Sequence, residues 1–511
     1  MEYNILFREG GIIMKRIGII DVGTMTIRLV IYELLSKTTF KIIEDIKESI
    51  SLGRGSGAQI DENKVREASH TIYLYRELCN RYQVDETRCF LSSSFKDKEN
   101  LPDFISSIRQ ASGLDTELLT EWMEIEASFI GAINNLSMDD GLLMDIGGTT
   151  TKLVWVEDRK IKKWHNLKLG GANLACEDKV SGPLTDEDER GIKTYLRDEI
   201  SAIGWLNEVR ELPVIGVGGS MRNLAKIHSN LCEYPVNLLH NYHLKEGDVE
   251  EIYDYIKVKD YDEKLRVKGL ANSRADIFTG SLLIIEEVLS RCDIENLVIS
   301  GNGMREGRVY LDYLDLLKEK DDVFEDSLLE VLGKFNLSKD TGEKTYQVFK
   351  KIYDKLNKTH PIDIRDEKIL KTACYLGRAG VNINFYDHPL HSLYMILNSG
   401  LRGMSHRELL VAALIVSQQN KFNDYHKDFK DLLGKKDISC IKKLSVILRV
   451  SKLLNKNFLI DDNEFIVEVD DKKVVISVEK NNLLKVQISR ILMSGERFKE
   501  LFNRELEVRL V

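Results

Sequence analysis

Two stretches of the chain carry the same order of apolar and polar positions. Residues 17–31, IGIIDVGTMTIRLVI, and residues 141–155, GLLMDIGGTTTKLVW, each read as two apolar β-runs joined at a Gly/Thr turn. Asp21-Val22-Gly23-Thr24-Met25-Thr26-Ile27-Arg28-Leu29-Val30 matches Asp145-Ile146-Gly147-Gly148-Thr149-Thr150-Thr151-Lys152-Leu153-Val154, with Asp, Gly, Thr, a basic residue, Leu and Val in register. Two copies about one domain length apart predict a duplicated fold with a cleft between the halves.

Around these copies the spacing alternates between helix and strand. Residues 61–83 and 121–135 have helical apolar spacing, and Phe90-Leu91 reads as a strand entering the polar turn Ser92-Ser93-Ser94. Further on, Val214–Val217 leads as a strand into Gly218-Gly219-Ser220, and helical spacing follows over 221–227. Residues 275–289 read as a helix, and 297–300 as a strand ending at Gly301-Asn302-Gly303. This order predicts an α/β class. From residue 314 the charge rises, β-branched runs vanish and helical spacing dominates to about 455; two short alternating strands, 464–469 and 473–478, then mark a small α+β module. The expected domains are therefore 1–138, 139–313, a helical domain 314–455 and a terminal module 456–511.

A length of 511 residues agrees with several cores rather than one. The composition, 43% hydrophobic and 30% charged, is that of a soluble globular protein. No apolar run approaches the roughly 18 residues needed to span a bilayer, and the start MEYNILFREGGIIMKR lacks the apolar core and cleavage site of a secretory signal. A cytoplasmic protein with no membrane partner is expected. Residues 1–13 match nothing in the repeat, so translation is expected to begin at Met14. Seven scattered cysteines without a CxxC argue against a zinc site and a disulfide framework. A net charge of −9 disfavours nucleic acid as a partner. A polyanionic ligand would need local help from arginines, backbone N–H groups or a metal.

The repeated turns supply such help. A glycine-rich turn points several backbone N–H groups at one spot and lets a phosphate approach without a Cβ in the way. Threonine hydroxyls add donors, and the aspartates opening the turns, Asp21 and Asp145, can hold a divalent metal directly or through water. Facing each other across a cleft, the two turns would grip a phosphoryl group and Mg²⁺ from both sides.

The D-x-G-T-x-T turn, the D-I-G-G turn and the later G-x-G-G-S turn resemble the phosphate-binding loops of the actin and sugar-kinase superfamily. Arg274-Ala275-Asp276 and Ser300-Gly301-Asn302-Gly303-Met304-Arg305-Glu306-Gly307 resemble the R-A-D and S-x-x-G-x-R-E-G signatures of the exopolyphosphatase/guanosine pentaphosphatase family. His391-Ser392-x-Tyr394-x-Ile396-x-Asn398-Ser399 is similar to a stretch in the family's longer members, so the likeness covers nearly the whole chain.

The resemblance implies two duplicated actin-like (ribonuclease H-like) domains, an all-helical HD-like domain and the small terminal module. It implies Asp21, Gly23, Thr24 and Thr26 as the first phosphate loop, Asp145, Gly147, Gly148 and Thr149 in the second, and Gly218, Gly219 and Ser220 as the third. Arg28 and Arg274 would hold the phosphate chain. Glu124 would be the general base, with Glu126 in reserve, because Glu124 shares a helix face with Gly131 and Glu126 does not. The implied reaction is attack of a metal-oriented water on the terminal phosphoryl group of inorganic polyphosphate or guanosine pentaphosphate. A homodimer is implied by the longer relatives.

Three departures stand out. Lys152 falls where the family's second loop closes on glutamate, which favours phosphate and disfavours a metal. Lys96 stands at a position of a bidentate arginine, and the two are not interchangeable at phosphates. Residues 376–380 lack the His-Asp dyad of the longer members' L-H-D-x-G signature, leaving His388 and His391, whose default is capping or packing. A polyphosphate- or alarmone-binding sensor without turnover is therefore the alternative function, and a kinase of the same superfamily the third. Met144 and Trp155 read as core residues, 177–189 as a solvated charged stretch and 312–326 as an exposed linker helix.

Overall fold

The computed structural model describes residues 15–36, 39–53, 57–175, 182–314, 322–364, 366–455, 465–479 and 484–511; the expected start at Met14 lies outside them. Two compact units divide it, Met1–Glu233 with Leu238–Asp321, and Tyr234–Asn237 with Asp322–Val511.

The first unit is α/β and holds two sheets. Strands β1 (Arg16–Val22), β2 (Thr26–Leu34), β3 (Phe40–Ser49), β4 (Glu86–Leu91) and β5 (Thr116–Leu118) lie in the order β3-β2-β1-β4-β5. β6 (Gly141–Ile146), β7 (Thr151–Glu157), β8 (Lys160–Leu167), β9 (Val214–Val217), β10 (Tyr242–Lys245) and β11 (Asn296–Ile299) lie in the order β10-β11-β9-β6-β7-β8. The first sheet's order recurs as β8-β7-β6-β9-β11. Its directions recur too: the first two contacts are antiparallel and the next two parallel in both. The central strands are near-continuous apolar runs because helices cover both faces. The outer β3 and β8 are mostly exposed, β3 mixing lysine with acids and β8 carrying three lysines, which blunts an edge against further pairing.

The sheets share a core built on two helices. Glu121–Ile133 follows β5, and Met304–Tyr313 follows β11; their apolar faces join Ile19, Phe90, Leu143 and Val217 in one cluster. The helices cross in near backbone contact. A Cβ on Gly131 would lie 2.1 Å from the Gly303 carbonyl oxygen, and one on Gly307 would lie 1.8 Å from that of Ala127. Only glycine permits this approach, and it fixes the height of Glu124 above the sheets. Thr120 starts the Glu121–Ile133 helix by accepting from the Met123 N–H.

Several expectations shift. Met144 is buried, but Trp155 is only half-buried, with the Lys163 ammonium over its ring. The stretch 312–326 is not one exposed helix: Met304–Tyr313 ends with Asp312 paired to Arg88 and Arg308, and Val323–Lys334 begins anew from Asp322; 315–321 lie outside the described residues. Of the charged stretch 177–189, the described part opens the helix Asp186–Ser201, whose four acids in the first turn suit the positive end of the helix dipole.

Among its described residues the second unit packs six helices ahead of its small sheet, Val323–Lys334, Lys339–Asn357, Glu367–Tyr375, His388–Leu397, His406–Ser417 and Lys435–Leu454. His406–Ser417 is buried on nearly every side, which makes it the centre of that core. β12 (Phe465–Val469), β13 (Lys473–Val478) and β14 (Glu505–Leu510) form a small sheet in that order, with two short helices between β13 and β14. Among the described residues no helix is long and apolar enough to cross a membrane.

Candidate functional site

The two halves of the first unit enclose a cleft of about 470 Å³. The strand-turn-strand copies form its walls. In β1–β2 Asp21 pairs in register with Arg28, and in β6–β7 Asp145 pairs with Lys152. Each turn is closed by the same bond, Gly23 N–H to the Thr26 carbonyl at 3.0 Å and Gly147 N–H to that of Thr150 at 2.8 Å. The turns meet: a Cβ on Gly148 would lie 2.5 Å from Met25 Cγ and 3.0 Å from Thr24 Oγ1. Gly23, Thr24, Thr26, Gly147, Gly148 and Thr149 all line the cleft.

The third glycine turn enters from β9. Gly218 adopts φ +96°, open to glycine at little cost, and places its Cα side against Asp145 Oδ1. Gly219 faces the Arg274 guanidinium so closely that a Cβ would lie 2.3 Å from Nη2. Both line the cleft, whereas Ser220 is buried behind it. Ser220 accepts from Arg274 Nη1 at 3.0 Å and donates to Ser281 at 3.0 Å, so it aims Arg274 rather than touching the cleft.

At the floor sits the Glu124 carboxylate, 4% exposed. It accepts from the Ser93 N–H at 2.9 Å and the Ser93 hydroxyl at 2.8 Å, and Lys152 Nζ lies 3.0 Å from Oε2. Burial works to raise the Glu124 carboxyl, but Lys152 and the Ser93 donors outweigh it and hold it below its ordinary value. Burial likewise opposes the charge on Lys152, yet Glu124, Asp145 and Asp21 raise it above the ordinary lysine value. Asp21 accepts from Arg305 at 2.8 Å; burial nevertheless leaves its carboxyl raised. Asp145 accepts from the Ser128 hydroxyl at 2.7 Å. Glu126 does not line the cleft.

Seven basic side chains line the cleft against four carboxylates. Besides Arg28, Lys152 and Arg274, these are Lys47, Arg222, Lys226 and Arg305, to which sequence reasoning gave no role. Burial beside Arg305 and Arg28 brings Arg222 down to about 10, and burial beside Arg274 and Arg28 lowers Lys47. Cations that depress one another in this way are arranged for an anion. Arg222 and Lys226, four residues apart on the helix Gly219–Leu231 that leaves the third turn, had a readable signal in that spacing. Arg305 lay within the quoted signature. Lys96 stands apart: it is exposed, pairs with Glu121 at 2.7 Å and lines a smaller adjoining pocket that shares Ser94 and Thr149 with the cleft.

The magnesium expected at Asp21 and Asp145 meets a donor set that does not fit a resident divalent ion. Asp21 is paired with Arg305, Glu124 already accepts from Ser93 and Lys152, and among the described residues no group of three or more His, Cys, Asp or Glu could hold a metal. In the second unit the place of the absent dyad is basic: burial together with Lys452 and Arg378 pushes His388 down to about 4, and Lys452 donates to the Gly377 carbonyl at 2.9 Å.

Residues 30–316 match the Ppx/GppA phosphatase family, and residues 323–490 match Ppx/GppA phosphatase, domain III. The chain belongs to the Ppx/GppA phosphatase family. Its fold is similar to that of an exopolyphosphatase from Cytophaga hutchinsonii, with 22% identity and a TM-score of 0.56 over 60% of this chain and 100% of that one. The Aquifex aeolicus Ppx/GppA protein matches at 22% identity and a TM-score of 0.50, over 58% of this chain and 97% of its own. At these identities the likeness speaks for the α/β fold of the family.

Proposed function

We propose that this Ppx/GppA phosphatase family member hydrolyses the terminal phosphoanhydride of inorganic polyphosphate or guanosine pentaphosphate. The observation that carries this function is the juxtaposition at the cleft floor: two glycine turns in contact, an excess of basic side chains and one buried carboxylate, Glu124. The terminal phosphoryl group would lie between the turns, with the N–H groups around Gly23, Gly147 and Gly218 on its oxygens. Arg28, Arg222 and Arg274 neutralise the charge that spreads over those oxygens as the bond breaks. Glu124 orients the attacking water and takes its proton; the bond from phosphorus to the bridging oxygen breaks, and the shortened polyphosphate leaves with the electron pair. Magnesium belongs in this scheme as a counter-ion of the polyphosphate.

The architecture behind this function is two actin-like (ribonuclease H-like) domains, 1–138 and 139–313, an HD-like helical domain 314–455 without the metal dyad, and a terminal module 456–511. A cytoplasmic homodimer acting on a free polyanion, with no nucleic-acid or membrane partner, suits it.

A sensor that binds polyphosphate without turnover is favoured by one observation, the engagement of Glu124 by Ser93 and Lys152. Orthophosphate release and polyphosphate binding, measured on the same sample, separate the two. Release by the wild type, with Glu124→Gln binding but not releasing, is expected of the hydrolase; binding without release by the wild type would establish the sensor.

A further inference from the structure

Lys152 sits at an unusual point of the cleft. Its Cα faces that of Asp145 across the β6–β7 pair, and its ammonium reaches under the turn to Glu124 Oε2 at 3.0 Å, on a side chain 11% exposed. Three acidic residues from three elements surround it: Asp21 from β1, Asp145 from β6 and Glu124 from the helix after β5. Besides Lys152 they accept hydrogen bonds from Arg305, Ser93 and Ser128, while Arg28 acts on Asp21 and Arg274 on Asp145 through charge alone. A group of carboxylates in one buried place repel one another unless a cation lies among them. Here that cation is covalently attached, and the carboxylates do not by themselves form a metal cage.

We propose that Lys152 is this chain's built-in substitute for a divalent ion: its tethered ammonium supplies the positive charge among Glu124, Asp145 and Asp21, and the substrate-free cleft takes up no divalent metal. A dication entering beside the ammonium would meet a like charge within a few ångströms in a water-poor site. The cleft then receives divalent ions only as counter-ions of the polyphosphate. That last consequence rests on the hydrolase function above; the exclusion of metal rests on the geometry of Lys152 alone.

The test is a Mn²⁺ titration of the substrate-free full chain, read by the electron paramagnetic resonance signal of free Mn²⁺, on the wild type, Lys152→Glu and Lys152→Met. The wild type should take up no stoichiometric Mn²⁺ up to about 1 mM, the weak end of protein divalent-ion sites. Lys152→Glu, which adds a carboxylate and removes the ammonium, should bind one Mn²⁺ per chain at least about tenfold more tightly, since each factor of ten reflects one modest charge interaction. Stoichiometric Mn²⁺ uptake by the wild type would overturn the proposal whatever the variants do. So would a folded Lys152→Glu, checked by thermal melting against the neutral Lys152→Met, that binds no more Mn²⁺ than the wild type. Phosphate release is assayed separately, and its failure would remove the hydrolase function while leaving the metal titration to decide the role of Lys152.

Discussion

The two strand-turn-strand copies share register, turn bond and charge order, yet their basic residues do opposite things. Arg28, opposite Asp21, turns along the sheet to Asp45 on β3 and keeps a partly exposed side chain. Lys152, opposite Asp145, turns inward and is buried on Glu124. The neighbouring strands explain the difference. Arg28 is in register with Lys47, which places Asp45 two residues away on the same face of β3, within diagonal reach. Lys152 is in register with Asn166, and the same-face neighbours on that side, Trp164 and Lys168, offer no carboxylate. Duplicated strands thus give one partly exposed ion pair in the cleft wall and one buried pair at its floor, and the second copy holds the candidate base.

That asymmetry can be broken from the chemical side first. Glu124→Gln keeps the shape of the floor but removes the acceptor for the water's proton. Phosphate release should fall by about 10²- to 10⁴-fold, with polyphosphate affinity little changed, in a steady-state assay beside a binding titration. Glu124→Ala does something different, leaving Lys152 buried without its partner. It should cost about 3–5 kcal/mol in chemical denaturation. Asp45→Ala, the matching change in the first copy, strips only a partly exposed pair and should cost about 1 kcal/mol or less. If the two alanine variants were equally destabilised, the contrast between the copies would be wrong.

Between those extremes lies the helix crossing that sets the height of Glu124. Gly307→Ala would push a Cβ into the Ala127 carbonyl and should cost about 1–3 kcal/mol. A fall in both melting temperature and phosphate release is expected, because the helix that carries Glu124 must shift. The smallest effect is in the pH dependence. The folded Glu124 carboxyl lies below its ordinary value, so the stability it contributes is present above that value and lost as pH falls through the lowered one. Glu124→Gln should therefore flatten the acid side of the stability profile below the ordinary carboxylate range, read from denaturation midpoints.

Much of this was legible in the chain. The copies could be aligned because catalytic turns need particular residues at fixed offsets, and Asp21/Arg28 and Asp145/Lys152 kept those offsets. The central strands showed as apolar runs. The edge strands β3 and β8 did not, because FKIIEDIKES and KIKKWHNL expose most of their side chains and lose the alternation that marks a half-buried strand. The partner of Lys152 was not legible either: spacing places it on β7, but only the fold brings Ser93, Lys152 and Glu124 together from three elements. Lys47, from an edge strand, reached the cleft unannounced for the same reason. Arg222 and Lys226 were within reach, since a glycine turn that opens a helix orients the helix's first two turns toward whatever the turn binds.

The most direct test of the hydrolase function is orthophosphate release from long-chain polyphosphate in ¹⁸O-labelled water, followed by mass spectrometry. Water attack predicts steady release with one labelled oxygen in each orthophosphate, and no requirement for a nucleotide or a second acceptor. Polyphosphate that binds at saturation yet yields no labelled orthophosphate would contradict it.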